Sequence, residues 1–215
     1  PSAPCVFSHL PPESRPMSFL APLLPITLRG QHVTLEPLVP GHAAEAREAV
    51  QDGDVWKLWY TAVPTPDQMD TEIARRLGLQ DKGSMLAFAV RDAQGRFVGM
   101  TTYMNIDAAN RRLEIGSTWY SASVRRSGLN TEAKRLLLAH AFDTLGCIAV
   151  EFRTHWFNEA SRTAIARLGA RQDGVLRNHQ IAPNGSLRDT VVFSIVASEW
   201  PAVQAHLGWQ LTKPR

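Results

Sequence analysis

The sequence predicts a mixed α/β domain, and three observations carry that prediction. Three strand-like runs follow one another between residues 85 and 121, separated by short turn-rich links. The longest helical pattern, 128–145, stands between the strand patterns 112–121 and 148–155. Those two strands are therefore predicted to run parallel, joined by a right-handed crossover. A second helix and a closing pair of strand-like runs follow, giving the order strand, helices, three strands, helix, strand, helix, two strands.

Each element has its own warrant. Residues 26–38 alternate loosely through Ile26, Leu28, Val33 and Leu35 around Gly30-Gln31, which predicts an opening strand or hairpin ended by Pro40-Gly41. Residues 42–50 are rich in Ala and Glu and helical, 55–60 form a short helical turn, and 67–79 form a helix after Pro64 and Pro66. The runs 85–91, 96–105 and 112–121 make an antiparallel meander. In 128–145, Ala133, Leu137, Ala141 and Leu145 recur every four residues, Leu138 and Phe142 widen the stripe, and Gly146 stops it. Residues 148–155 set Ile148, Val150, Phe152 and Thr154 against Ala149, Glu151, Arg153 and His155, a strand alternation. The helix 159–168 ends at Gly169. Strands 170–181 and 187–196 flank the turn Pro183-Asn184-Gly185, and a short helix over 199–207 closes the order.

A chain of 215 residues suits one substantial core. Seven prolines crowd the first 25 residues, so residues 1–18 are read as a poorly ordered leader and 19–215 as a single domain. The composition, 44% hydrophobic and 20% charged, is that of a soluble globular protein. A net charge of +3, with no run of five basic residues, argues against a nucleic-acid partner and suits a small anionic ligand. No apolar stretch is long enough to span a bilayer. Cys5 and Cys147 lie far apart, which favours a reducing, cytoplasmic setting over a disulfide framework. No His/Cys cluster has metal-ligand spacing, so no metal is expected.

The stretch VRRSGLNTEAK, residues 124–134, lies between a strand and the long helix. Gly128 can take a conformation barred to other residues, and the amides of Ser127, Gly128, Leu129, Asn130 and Thr131 would be unpaired donors at a helix N-terminus. With Arg125 and Arg126 they could cradle an anionic phosphate. The same residues also read as a helix start capped by Ser127 or Asn130 beside two solvated arginines.

Its surroundings tilt the reading. The string LEIGSTWYS, then VRRSGLNTEAKRLLL and HAF, resembles the acyl-CoA-binding segment of the GNAT acetyltransferases, in particular the RimJ/RimL-like, bacterial-type branch that acetylates N-termini of ribosomal proteins. The family pattern R/Q-x-x-G-x-G/A is met by Arg125, Gly128 and, in departure from a small residue, Asn130. Residues 158–170, from Asn158 through Ser161 and Ile165 to Leu168-Gly169, resemble the family's second signature. The resemblance spans about residues 26–208. It implies a GNAT-like fold with a mostly antiparallel mixed sheet, a β-α-β acyl-CoA-binding core and splayed central strands. It also implies acetyl-CoA as co-substrate, the backbone of Trp119 and Tyr120 pairing with its pantetheine arm, and Asn158 either capping its helix or bonding that arm.

The resemblance further implies transfer of an acetyl group to a primary amine, foremost a protein or peptide N-terminus. The alternatives are a small-molecule amine and a non-catalytic acyl-CoA sensor. The sensor is favoured by Ile165, which stands where many members carry a proton-donating Tyr. Ser161 is the candidate donor in its place, or else a helix-start Ser bonded to backbone or a cofactor-binding contact to CoA without a proton role. Glu114 and His155 are rival general bases, each also readable as a structural residue. His140, inside the long helix, reads as structural. The acceptor wall is expected from 55–79 and the last hairpin, with Trp56, Trp59 and Tyr60 as wall or core residues. A homodimer through that hairpin is a further expectation.

Overall fold

Eight strands make one sheet: β1 (Leu28–Arg29), β2 (Val33–Pro37), β3 (Met85–Asp92), β4 (Phe97–Asp107), β5 (Arg112–Tyr120), β6 (Ala149–His155), β7 (Arg171–Ile181) and β8 (Leu187–Val196). Their order across the sheet is β1-β2-β3-β4-β5-β6-β8-β7. Only the β5–β6 pair is parallel. The structure is a computed structural model and describes residue 19 and residues 21–213; the expected leader, 1–18, lies outside them.

Helices α1 (Ala43–Gln51) and α2 (Met69–Asp81) connect β2 to β3, and α3 (Leu129–Ala139) makes the crossover from β5 to β6. Helix α4 (Glu159–Ala166) follows β6, and α5 (Trp200–Thr212) follows β8, running five residues past the predicted end of the closing helix. The sheet divides the core in two. Leu86, Phe88 and Val90 of β3 pack with Leu137 and Leu138 of α3, while Ala87 and Ala89 pack with Val50 of α1 and Ile73 of α2. Burial on both faces is why β3 reads as an unbroken apolar run.

The long helix differs from its prediction. After Ala139 it opens into a π-helical turn, His140–Thr144, with the Leu145 N–H bonding the His140 carbonyl at 3.0 Å. The turn coincides with a tertiary contact: the Tyr103 hydroxyl donates to the Leu137 carbonyl at 2.6 Å, an oxygen that also accepts the His140 N–H. His140 is buried there, stacked on Tyr103. At the opposite edge of the sheet, β7 runs almost wholly exposed and shifts register against β8 twice, between Gln172 and Gly174 and between Leu176 and Gln180.

Candidate active site

β5 and β6 pair over three residues only, Arg112 with Ala149, Leu113 with Val150 and Glu114 with Glu151. Beyond Glu114 the strands part. β5 stays with β4 as far as Tyr120, and β6 stays with β8 as far as His155, so their inner edges border a slit without strand partners. Such edges offer backbone donors and acceptors to an extended ligand that carries amides.

A β-bulge opens the slit. Between the Thr102–Gly116 and Met100–Trp119 pairs, β5 spends one residue more than β4, and Ser117 sits there at φ 47°. Side chains hold the bulge from both faces. From α2, Arg76 donates to the Ser117 carbonyl at 3.1 Å and to Thr102 Oγ1 at 2.8 Å, with Glu72 as its counter-ion at 2.7 Å. From α3, Lys134 Nζ reaches Thr118 Oγ1 at 2.9 Å, and Thr118 in turn bonds Thr101 at 2.7 Å. Lys134 is buried with threonine hydroxyls as its hydrogen-bond partners, and burial lowers its pKa to about 7.

The head of α3 lies beyond the end of β5. Ser121 anchors the connection, its N–H donating to the Val98 carbonyl and its hydroxyl to the Ala49 carbonyl, both at 2.8 Å. Asp52 Oδ2 accepts the Ser123 amide at 3.0 Å. The residue in the left-handed region is Arg126, at φ 59°, and Gly128 has an ordinary helical φ of −71°. The expectation that Gly128 supplies a special conformation is therefore corrected: it is buried at the N-cap, where the absence of a side chain leaves its backbone open to close approach. Ser127 caps the start, accepting from the Leu129 N–H at 3.2 Å and donating to the Val124 carbonyl at 2.6 Å. The Asn130 and Thr131 amides in the first turn precede the regular ladder. Arg125 and Arg126 are both exposed beside them.

On β6, Glu151, Arg153 and His155 point to the face that carries α1 and α2, which is also the face of Glu114. Glu114 is 5% exposed, accepts from Asn105 Nδ2 at 2.7 Å and lies 3.6 Å from Arg153 Nε. Burial outweighs those partners and raises its pKa above the usual carboxylate value. It borders a cavity of about 380 Å³ lined also by Asp107, Arg112, Ile148 and Glu151. His155 is 3% exposed, and its Nδ1 accepts the Phe157 N–H at 3.1 Å. Burial, with Arg188 adding to it, lowers its pKa, so the ring is neutral with its proton on Nε2. In that tautomer Nε2 is a donor, and the lone pair on Nδ1 is taken up by the Phe157 N–H. Asn158 caps α4 as expected, its Oδ1 accepting the Ser161 N–H at 3.1 Å. Ser161 stands half-buried on the first turn.

The expected wall residues divide. Trp56 packs against the α1–α2 core, whereas Trp59 is 49% exposed and meets His155 edge-on at 5.1 Å between ring centroids, with Tyr60 and Phe157 alongside. Comparisons with known proteins bear on the family and the fold. Residues 32–171 match the family model described as acetyltransferase (GNAT) domain. The chain belongs to the GNAT acetyltransferases. YdaF of Bacillus subtilis, named provisionally as a ribosomal N-acetyltransferase, is 28% identical over 176 residues, covering 79% of this chain and 94% of that protein. A GCN5-related N-acetyltransferase from Brucella melitensis superposes with a TM-score of 0.78 at 32% identity, covering 90% of this chain and 88% of the other. Mycobacterium smegmatis RimJ, solved with CoA-disulfide, shares the fold at a TM-score of 0.72 and 24% identity, over 86% and 93% of the two chains.

This GNAT N-acetyltransferase is an enzyme, and Ile165, where the resemblance led to an expected Tyr, is an 8%-exposed residue of the core. The sequence reading missed Arg76, Glu132 and Lys134, all buried. Their signal was positional. Arg76 continues the Met69–Ile73 stripe of α2, and Lys134 lies one helical turn before Leu138. Among the described residues no group of three or more His, Cys, Asp or Glu could hold a metal ion, and no helix is long and apolar enough to cross a membrane. Cys147 is a free, buried thiol whose pKa burial pushes up to about 12; Cys5 lies outside the described residues.

Proposed function

We propose that this acetyltransferase moves the acetyl group of acetyl-CoA onto the α-amine of a peptide or protein N-terminus. The observation that carries the proposal is the slit: two unpartnered strand edges lead to the amide-lined, arginine-flanked head of α3. These residues fit the donor. The inner edges of Gly116–Tyr120 and β6 would pair with the pantetheine amides, and the backbone of Trp119 and Tyr120 belongs to that stretch. The amides of Ser127 to Thr131, with Arg125 and Arg126, would hold the pyrophosphate. When bound, acetyl-CoA supplies the thioester carbonyl that the amine attacks. The name of the Bacillus subtilis relative supports a ribosomal protein as acceptor.

The face of the sheet opposite α3 would receive the acceptor. Glu114 would take the amine proton, its raised pKa bringing it nearer to neutral pH. Ser161 Oγ, at the head of α4, would hold the proton that Ile165 cannot supply to the departing sulfur, and Asn158 would fix that turn. Calorimetric titration with acetyl-CoA, for the wild type and for Gly128→Glu, tests the donor site. Gly128 has an ordinary φ but is buried, so lost binding counts as repulsion of the phosphates only in a variant whose melting temperature shows it folded. Binding lost in the variant supports the cradle; equal affinity in both, or no binding to the wild type, refutes it. Release of free CoA on adding a tripeptide then tests the acceptor, and no release refutes an N-terminal substrate.

A further inference from the structure

His155 Nε2 is buried and has no hydrogen-bond partner among the described residues. The Phe157 N–H occupies Nδ1, so Nε2 bears the ring proton and is a donor lacking an acceptor. Such an atom is costly to leave unsatisfied inside a protein. His140 Nε2 is also unpartnered, but it is sealed in the core against Tyr103. His155 instead lies under two exposed rings, Trp59 at 49% and Phe157 at 61%, whose centroids stand 5.1 and 5.7 Å from its own. Tyr60 closes a third side at 6.4 Å. The Trp59 segment is held through the Thr61 N–H and hydroxyl to the Leu58 carbonyl, so the indole can swing without breaking a hydrogen bond of its own. His155 also shares its sheet face with Glu114.

We propose that His155 determines acceptor specificity, its Nε2–H bonding the carbonyl oxygen next to the acceptor's α-amine once the acceptor displaces the Trp59 indole. The site thereby selects α-aminoacyl compounds, peptides foremost, over alkylamines that carry no such carbonyl. This rests on the N-acetyltransferase reading above and narrows its acceptor class. No step in the transfer passes through His155, which positions the amine.

The test compares kcat/KM for trialanine and for isopropylamine, which keeps the α-carbon skeleton without the carbonyl. His155→Phe keeps an aromatic ring and removes the donor; His155→Gln keeps an N–H at a similar reach. The expected result is a loss of about tenfold for trialanine in His155→Phe. Isopropylamine turnover and acetyl-CoA affinity stay unchanged, and His155→Gln recovers most of the loss. Should His155→Phe fail to fold, His155→Met, which likewise carries no N–H donor, takes its place with the same expected loss. Equal use of the two amines by the wild type, or an unchanged ratio in a folded His155→Phe, overturns the inference and leaves the enzyme reading standing. No CoA release from the wild type with either amine overturns both.

Discussion

Gly30→Ala perturbs the enzyme far from any reacting atom. An alanine Cβ at residue 30 would fall 2.3 Å from Glu132 Cδ and 2.4 and 2.7 Å from its two oxygens. Glu132 belongs to the first turn of α3, and its carboxylate accepts the Gln31 N–H at 3.0 Å and the His32 N–H at 2.5 Å. The carboxylate must withdraw, and both charge-assisted bonds go with it. The donors belong to exposed residues that water can serve, so the low end applies, about 1.5 kcal/mol each. Alanine also narrows the unfolded ensemble, which offsets about 0.5–1 kcal/mol, because Gly30 is not in the left-handed region. The net expectation is a destabilisation of about 2 kcal/mol, read as a lower urea midpoint at constant m. The same substitution in a Glu132→Ala background should cost under about 0.5 kcal/mol, because no carboxylate is left to displace. A full loss in that background, or none in the wild type, refutes the clamp.

Two more predictions follow from titratable groups. Lys134 is depressed to about 7 in the folded chain, so between that pH and its unfolded pKa near 10.4 the unfolded state binds more protons. Lys134 therefore contributes stability that rises with pH across this window, by up to about 1.4 kcal/mol per unit; the difference between wild type and Lys134→Met should show that slope, with the variant the more stable at pH 6, and a parallel pH dependence in both refutes a neutral Lys134. Glu114→Gln should lower kcat/KM by about 10²-fold and flatten the acid limb of the pH profile, a limb displaced above the ordinary carboxylate value; an unchanged limb removes Glu114 as the base.

The order of elements was legible because it rests on periodicity and turn residues, which are local. The stripe Ala133–Leu137–Ala141 and the alternation in 148–155 led to the parallel β5–β6 pair, and the Asn158 cap followed from residue type at a helix start. What was not legible depends on contacts distant in sequence. The π-helical turn follows a carbonyl bonded by Tyr103, more than thirty residues before it. The loop places its left-handed residue at Arg126 instead of a glycine, a choice set by how Ser121 and Asp52 tie the preceding turn to α1. A charged residue on a helix reads as solvated until a partner is seen, and for Glu132 that partner is the turn after β1, for Lys134 a pair of threonines. His155 needed its tautomer, which follows from a backbone amide two residues away.

The broken register of β7 has a consequence for assembly. A long exposed edge strand invites a neighbouring molecule to continue the ladder, and this one would fail as a template. Its pairing slips at two places, Asn178 turns left-handed at φ 48°, and Arg171, Asp173 and Arg177 stand along it. A second sheet could align with only a few residues at a time before the spacing of donors and acceptors drifted. The other margin, β1, is two residues long and offers less. Copies that meet at the β7–β8 hairpin must therefore do so through side chains such as Ile181 and Leu187, 77% and 57% exposed, and a fibril-like stacking of sheets is closed to them.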